Sequence, residues 1–112
     1  MLVELTEKQH TFYKTLKKNI MAKFSIYTDI DNKEVNFYLH YNLHGEGYTS
    51  FRSFEVDQDN NIIIYDPESF KLLCQMLRKS QKKVLKFIQD TYQEAENRVE
   101  DFNFDHINPE II

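Results

Sequence analysis

The chain has 112 residues, one cysteine and a formal net charge of −4, which allows one domain with its own core and excludes an internal disulfide. Its hydrophobic fraction of 41% is that of a globular protein, and no apolar run approaches the roughly 20 residues that span a membrane. Acidic residues stand near the start, where a secretory signal carries basic ones, so we expect a cytoplasmic protein.

The first half of the chain predicts one helix followed by four strands. Thr6 and Gln9 have the spacing of a capping box, and apolar residues recur at helical spacing as far as about residue 22. From Phe24 onward apolar and polar residues alternate, which is typical of half-buried strands. The predicted strands are 24–30, 35–43, 48–56 and 62–65. Because short polar turns connect them, we expect an antiparallel meander.

A long helix is predicted to follow the strands. Asp66 is a suitable N-cap, Pro67 fits the first helical position, and no further Gly or Pro occurs before Pro109. Apolar residues continue at helical spacing to about residue 102, which corresponds to roughly 50 Å of helix at about 1.5 Å per residue. Since this exceeds the diameter of a small domain, either the helix bends near Ser80 or its far end projects.

Together these elements predict a single α+β domain over residues 1–112. Its expected order is α-β-β-β-β-α, with the N-terminal helix and the long C-terminal helix packed on one face of the sheet. The tail, residues 103–112, is acidic but ends in apolar residues. Docking on the domain and a flexible, frayed end are equally compatible with that pattern.

Basic and acidic residues are segregated along the chain. Residues 71–86 contain six basic and no acidic residues, whereas residues 24–66 contain eight acidic and two basic ones. Four lysines form a lysine stripe on the predicted helix: Lys79, Lys82, Lys83 and Lys86. A Lys-Lys-x-x-Lys helix beside antiparallel strands resembles the double-stranded RNA-binding domain, which contacts phosphates with such lysines. Here the lysines lie deep inside the predicted helix and the sheet is acidic, so we do not assign that family.

Patterns for catalysis or metal binding are weak. Residues 57–68 have the oxygen-bearing positions of a calcium loop, but Ile62 replaces the required glycine, and an Asn/Asp-rich turn explains the pattern better. His40 and His44 are about 13 Å apart on an extended strand, too far to share a metal. Cys74 lies in an apolar helical turn and is interpreted as a core residue. We therefore expect no catalytic residue, no metal and no cofactor, and hence no enzyme.

The outward face of the sheet is the strongest candidate for a binding site, because exposed aromatic residues on a small protein usually have a use. Alternation places aromatic and acidic residues together on this face, and the following turn adds two carboxylates. The candidate partner-binding residues are Tyr27, Asp29, Tyr38, His40, Phe51, Asp57 and Asp59. The competing interpretation is that the tail, the far half of the long helix or a second copy covers these rings.

Three functional hypotheses follow. The first is a non-enzymatic protein-binding module, a small acidic stoichiometric inhibitor or immunity-type protein that acts on a nucleic-acid enzyme through complementary charge. The abundance of Ile, Lys, Asn, Phe and Tyr further suggests an AT-rich phage or mobile element. The alternative is nucleic-acid binding through the lysine stripe. A second alternative is a homodimer through the far half of the long helix, formed by Val84, Ile88, Tyr92, Ala95 and Val99.

Overall fold

The computed structural model describes residues 22–43 and 46–112. The helix predicted before Phe24 lies outside the described residues, and the first described element is a strand. The elements are β1 (Lys23–Asp29), β2 (Glu34–Leu43), β3 (Glu46–Val56), β4 (Ile62–Ile63), α1 (Pro67–Leu77), α2 (Gln81–Arg98), β5 (Asn103–Ile107) and a 3-10 turn (Pro109–Ile111). No helix in this part of the chain is long and apolar enough to cross a membrane.

The strands form one antiparallel sheet in the order β4-β3-β2-β1-β5. The first four strands are the predicted meander, so that prediction is confirmed. The fifth strand was not predicted: the tail returns to the free edge of β1, where Phe24 pairs with Ile107 and Tyr27 with Asn103. Of the two outcomes left open for the tail, docking is the one observed.

The long helix is two helices. Arg78 adopts a left-handed conformation, and the amide of Lys79 donates to the carbonyl of Cys74 at 3.1 Å, which closes α1. Ser80 then caps α2, its hydroxyl accepting from the amide of Lys83 at 3.2 Å. The bend considered near Ser80 is therefore a full break, and it keeps both helices over the sheet. Asp66 caps α1 as predicted, accepting from the amide of Ser69 at 3.1 Å.

Both helices pack on one face of the sheet and form the core there. Phe24 stacks on Phe37 with ring centroids 4.8 Å apart, and Phe54 meets Phe70 of α1 edge-on at 5.9 Å.

The prediction of a homodimer interface on the far half of the long helix is wrong, because most of its residues are buried within this chain. Four of its five residues, Val84, Ile88, Tyr92 and Ala95, are at most 1% exposed because they face this chain's own sheet, whereas Val99 is 79% exposed.

Candidate partner-binding face

The sheet face opposite the helices, here called the outer face, carries the predicted aromatic residues. Strand register places Tyr38 opposite Ser25 on one side and Phe51 on the other, and Tyr27 opposite Asn36. Since alternate residues of a strand point to opposite faces, these side chains lie away from the helices. The period-two pattern in the sequence was sufficient to find them.

Three of these rings form an aromatic strip across β1, β2 and β3, in which the middle ring, Tyr38, contacts the other two. The ring centroids of Tyr27 and Tyr38 are 5.5 Å apart, and those of Tyr38 and Phe51 are 4.7 Å apart. Such pairs gain about 0.5–1.5 kcal/mol beyond their buried area, so the strip is held in place before any partner arrives. Phe51, at its β3 end, remains 45% exposed.

An acidic row runs beside the aromatic strip at one end of the sheet. Asp29 lies opposite Glu34 in the strand register, and Glu34 lies opposite Glu55. The side-chain amide and the backbone amide of Asn32 both donate to Asp29, which lowers the pKa of that carboxyl and keeps it ionised. Glu55 accepts from the hydroxyl of Tyr65 at 2.7 Å and thereby raises the pKa of that phenol. Adjacent carboxylates on neighbouring strands repel one another, which favours a cationic partner.

His40 is fixed between the strands on either side of it. Its Nε2 lies 3.0 Å from the hydroxyl of Ser25, and its Nδ1 lies 3.2 Å from the hydroxyl of Thr49. Desolvation, followed by the nearby His106, lowers the pKa of His40. The neutral imidazole therefore acts as a bridge across three strands.

The tail adds side chains to this face that the sequence analysis missed. The hydroxyl of Tyr27 donates to the carboxylate of Asp105 on β5, and this bond is the main cause of the raised pKa of Tyr27. The ring of His106 lies 5.0 Å from that of His40. The five residues of β5 show no clear alternation of apolar and polar side chains, so their pattern does not predict a strand. β5 is recognisable only from its pairing with β1.

Asp57 and Asp59, the two turn candidates, lie apart from the aromatic strip in the β3–β4 connection. One carboxylate oxygen of Asp57 accepts from the amides of Asp59 and Asn61 at 2.8 and 2.9 Å. The side chain of Asn60 in turn donates to Glu96 on α2 at 2.7 Å. Asp57 thus holds the turn together, and of the two only Asp59 has an exposed side chain.

The lysine stripe lies at the start of a helix and not in the middle of one. Because α2 begins at Gln81, Lys82 and Lys83 occupy its first turn, where both are exposed. Lys86 is paired with Asp90 at 2.7 Å, and Lys79 sits in the connection between the helices. Cations at a helix N-terminus oppose the helix dipole, so this placement is not explained by helix stability.

The remaining candidates for chemistry are accounted for by structure. Cys74 is 3% exposed, and burial raises the pKa of its thiol to about 12, which makes it a poor nucleophile. Within residues 22–43 and 46–112, no group of three or more His, Cys, Asp or Glu side chains could hold a metal ion. His44, one of the two histidines considered for metal binding, lies outside the described residues.

Comparison of the chain with protein-family models, with curated proteins and with solved structures finds no match.

Proposed function

We propose that this protein is a non-enzymatic binding module whose outer face docks on a basic surface of another protein. In the form we favour, the partner is an enzyme that acts on nucleic acid, and this chain is its stoichiometric inhibitor or immunity-type protein. The observation that carries the proposal is the presence of the aromatic strip and the acidic row on the same sheet face, which no helix of the described residues covers.

The two features suit different parts of an interface. Aromatic side chains provide large apolar contact with few rotatable bonds, and such anchors account for most of the binding energy in protein interfaces. Carboxylates at the rim of the contact speed association with a basic partner and make it dependent on salt. A surface that binds phosphates is basic by necessity, which is why a nucleic-acid enzyme fits the acidic row.

The competing interpretation, in which the chain covers its own rings, loses support from the position of the tail. β5 adds to the edge of the sheet beside β1 and leaves Phe51, on the far side of β2, exposed. The helices lie on the opposite face. Within residues 22–43 and 46–112, no helix and no added strand covers Tyr38 and Phe51, so both are open to a partner or to solvent.

The test is capture of the partner from a nuclease-treated lysate by tagged protein. We expect a retained protein that is lost on Phe51→Ala and on Glu34→Lys, and that elutes as salt rises. Phe104→Ala is the matched control, since Phe104 is 44% exposed but stacks on Phe102. Equal capture by the Phe51 and Phe104 variants would show that the outer face is not the binding site. The inhibitor form further requires that the captured enzyme lose activity at one-to-one stoichiometry.

A second candidate function is nucleic-acid binding, and the position of Lys82 and Lys83 in the first turn of α2 favours it. Exposed lysines at a helix N-terminus, the positive end of the helix dipole, form an arrangement that attracts phosphate. Substitution of both lysines by alanine should weaken duplex RNA or DNA binding and reduce its salt dependence, whereas Lys23→Ala on the sheet should not. If the wild-type protein does not shift either duplex at low salt, this candidate is excluded.

A further inference from the structure

Strand β3 has an open edge. It pairs with β2 from Glu46 to Glu55, but on its other side β4 pairs only with Glu55 and Val56. Over the described residues, no strand pairs with residues 47–53 on that side. At about 3.4 Å per residue, this leaves roughly 24 Å of strand edge.

The backbone groups that face this edge can be identified from the hydrogen bonds around it. The amide of Val56 donates to the carbonyl of Lys33 on the β2 side, whereas that of Asp57 donates to Asn61 on the β4 side. Because successive residues of an antiparallel strand direct their backbone groups to opposite sides, the odd-numbered residues face the open edge. These are Gly47, Thr49, Phe51 and Ser53. In agreement, the carbonyl of Phe51 accepts from the guanidinium of Arg52 and not from β2, at 2.8 Å.

This edge has few of the devices that normally prevent pairing with another chain. Edge strands are usually protected by proline, by charged side chains, above all lysine, or by a bulge. Residues 47–53 contain neither proline nor lysine, and their register against β2 is unbroken. Their only charged residue, Arg52, covers a single edge carbonyl, that of Phe51. Thr49 and Phe51, which are exposed, are β-branched and aromatic, the residue types that strands favour.

We propose that the open edge of β3 pairs with the same edge of a second copy, about a two-fold axis at Ser50. This axis follows from the edge itself, since Ser50 is the middle of the open span. Antiparallel pairing there sets Thr49 opposite Phe51 of the other copy, and Gly47 opposite Ser53. All four edge-facing residues on each chain then exchange backbone hydrogen bonds, and the carbonyl of Phe51 gives up its bond from Arg52 for one from the amide of Thr49 of the other copy. An axis at a neighbouring residue would not pair all four of these residues with one another.

A second copy suits this edge better than an unrelated segment for two reasons. The register forms the Thr–Phe cross-strand pair twice, and such aromatic–β-branched pairs stabilise sheets. Arg52, the only charged residue of the span, does not lie opposite Arg52 of the other copy. The outer faces of the two copies would continue into one another as a ten-stranded sheet, with Phe51 of each copy at the junction. The pairing goes beyond the proposed function, and the two share Phe51, whose side chain lies on the outer face and whose backbone groups face the edge.

Sedimentation of the purified full chain at micromolar concentration is the first test, and we expect twice the chain mass. Ser50→Lys and Ser50→Glu place like charges directly opposite each other at the axis, so each variant alone should be a monomer. An equimolar mixture should restore the dimer through the Lys–Glu pair. Ser53→Lys is the matched control, since Ser53 lies opposite Gly47 and the variant should remain dimeric.

Each alternative result would overturn the proposal. A wild-type monomer would do so, as would Ser50 variants that stay dimeric or whose mixture stays monomeric. Amide exchange of the wild-type protein supplies a measurement that needs no substitution. The amides of Thr49, Phe51 and Ser53 should gain protection as concentration rises. Protection that is independent of concentration would mean that this chain's own segment covers the edge.

Discussion

The imidazole rings of His40 and His106 lie 5.0 Å apart, with one on β2 and the other on β5, although these strands are separated by β1. Ser25 of β1 joins them, because its hydroxyl lies 3.0 Å from Nε2 of His40 and accepts from the backbone amide of His106 at 3.2 Å. The contact ties the last strand to the centre of the sheet. It also places His106 where its charge disfavours protonation of His40 and so contributes to the lowered pKa of His40.

Stability should therefore fall as the pH is lowered through the range in which histidine titrates. The pKa of His40 is lowered from the ordinary value of 6.5, so the unfolded chain binds more protons than the folded one below that pH. The stabilisation is complete above pH 6.5 and is lost as the pH falls through the folded-state pKa. Asp105 favours protonation of His40, but desolvation and the neighbouring His106 outweigh it. Urea denaturation between about pH 5 and 7 measures the effect.

The matched variant for this prediction is His40→Gln, which retains polar contacts to Ser25 and Thr49 but does not titrate. Its free energy of unfolding should change less over the same pH range. The lowered pKa of Asp29 acts in a separate window below about 3.8 and does not interfere. If the wild type and His40→Gln show the same pH dependence, His40 is not its source. His106→Asn should raise the pKa of His40 in an NMR titration.

The connection before β5 depends on the hydroxyl of Thr28. This residue is 4% exposed, and its Oγ1 accepts from the amide of Phe102 at 2.8 Å. Thr28→Val keeps the shape but leaves that amide unpaired, so we expect a loss of about 1–3 kcal/mol in the free energy of unfolding. Thr91→Val is the control, because its hydroxyl donates at 2.7 Å to a helix carbonyl and its loss should cost much less. Equal effects in denaturant titrations would contradict the assigned role.

The meander could be predicted from the sequence because one face of each strand is buried, which forces period-two alternation on residues such as Phe37 and Leu39. The break between the helices was harder to predict. The left-handed residue at the break is Arg78, a position where glycine is usual. Ser80 was therefore the only residue whose type signalled a helix boundary there. The strand β5 gave less signal still, since Phe104 and its neighbours on β5 are exposed or only half buried.

The candidate site, like the fold, could be predicted from the sequence only in part. Alternation was sufficient to place Tyr27, Tyr38 and Phe51 on one face, because side-chain direction in a strand depends only on position. It could not show that Asp105 reaches Tyr27, since that contact joins residues 78 positions apart. Nor could charge alone distinguish Asp57, whose carboxylate serves the turn, from the exposed Asp59.

The two turn carboxylates should consequently respond differently to substitution. Asp57→Ala removes the acceptor of two backbone amides, and we expect a loss of about 1–3 kcal/mol in stability. Asp59→Ala should change stability by less than about 0.5 kcal/mol, since the side chain is exposed and surface substitutions have small effects. Thermal denaturation of the two variants decides the matter, and a larger loss for Asp59→Ala would refute the assignment. A charge reversal that tests partner binding therefore belongs at Asp59, where folding is not at risk.

The end of α2 offers a stabilising substitution. Val99 has a φ of 52° in the left-handed region, and its amide closes the helix by donating to the carbonyls of Ala95 and Glu96. A β-branched residue is strained there by about 1–2 kcal/mol, whereas glycine adopts the conformation freely. Because the side chain is 79% exposed, Val99→Gly removes little packing.

Allowing for the greater backbone entropy of glycine in the unfolded chain, we expect Val99→Gly to raise the free energy of unfolding by up to about 1 kcal/mol. The control is Asn97→Gly, two residues earlier and also exposed but with helical backbone, which should lower it by about 0.5–1 kcal/mol. We expect opposite signs for these two exposed glycine substitutions because the backbone is left-handed at Val99 and helical at Asn97, and Asn97→Gly also loses the hydrogen bond that Asn97 accepts from Gln93. A destabilised Val99→Gly variant would mean that Val99 packs against something, and the partner of its side chain would then have to be found.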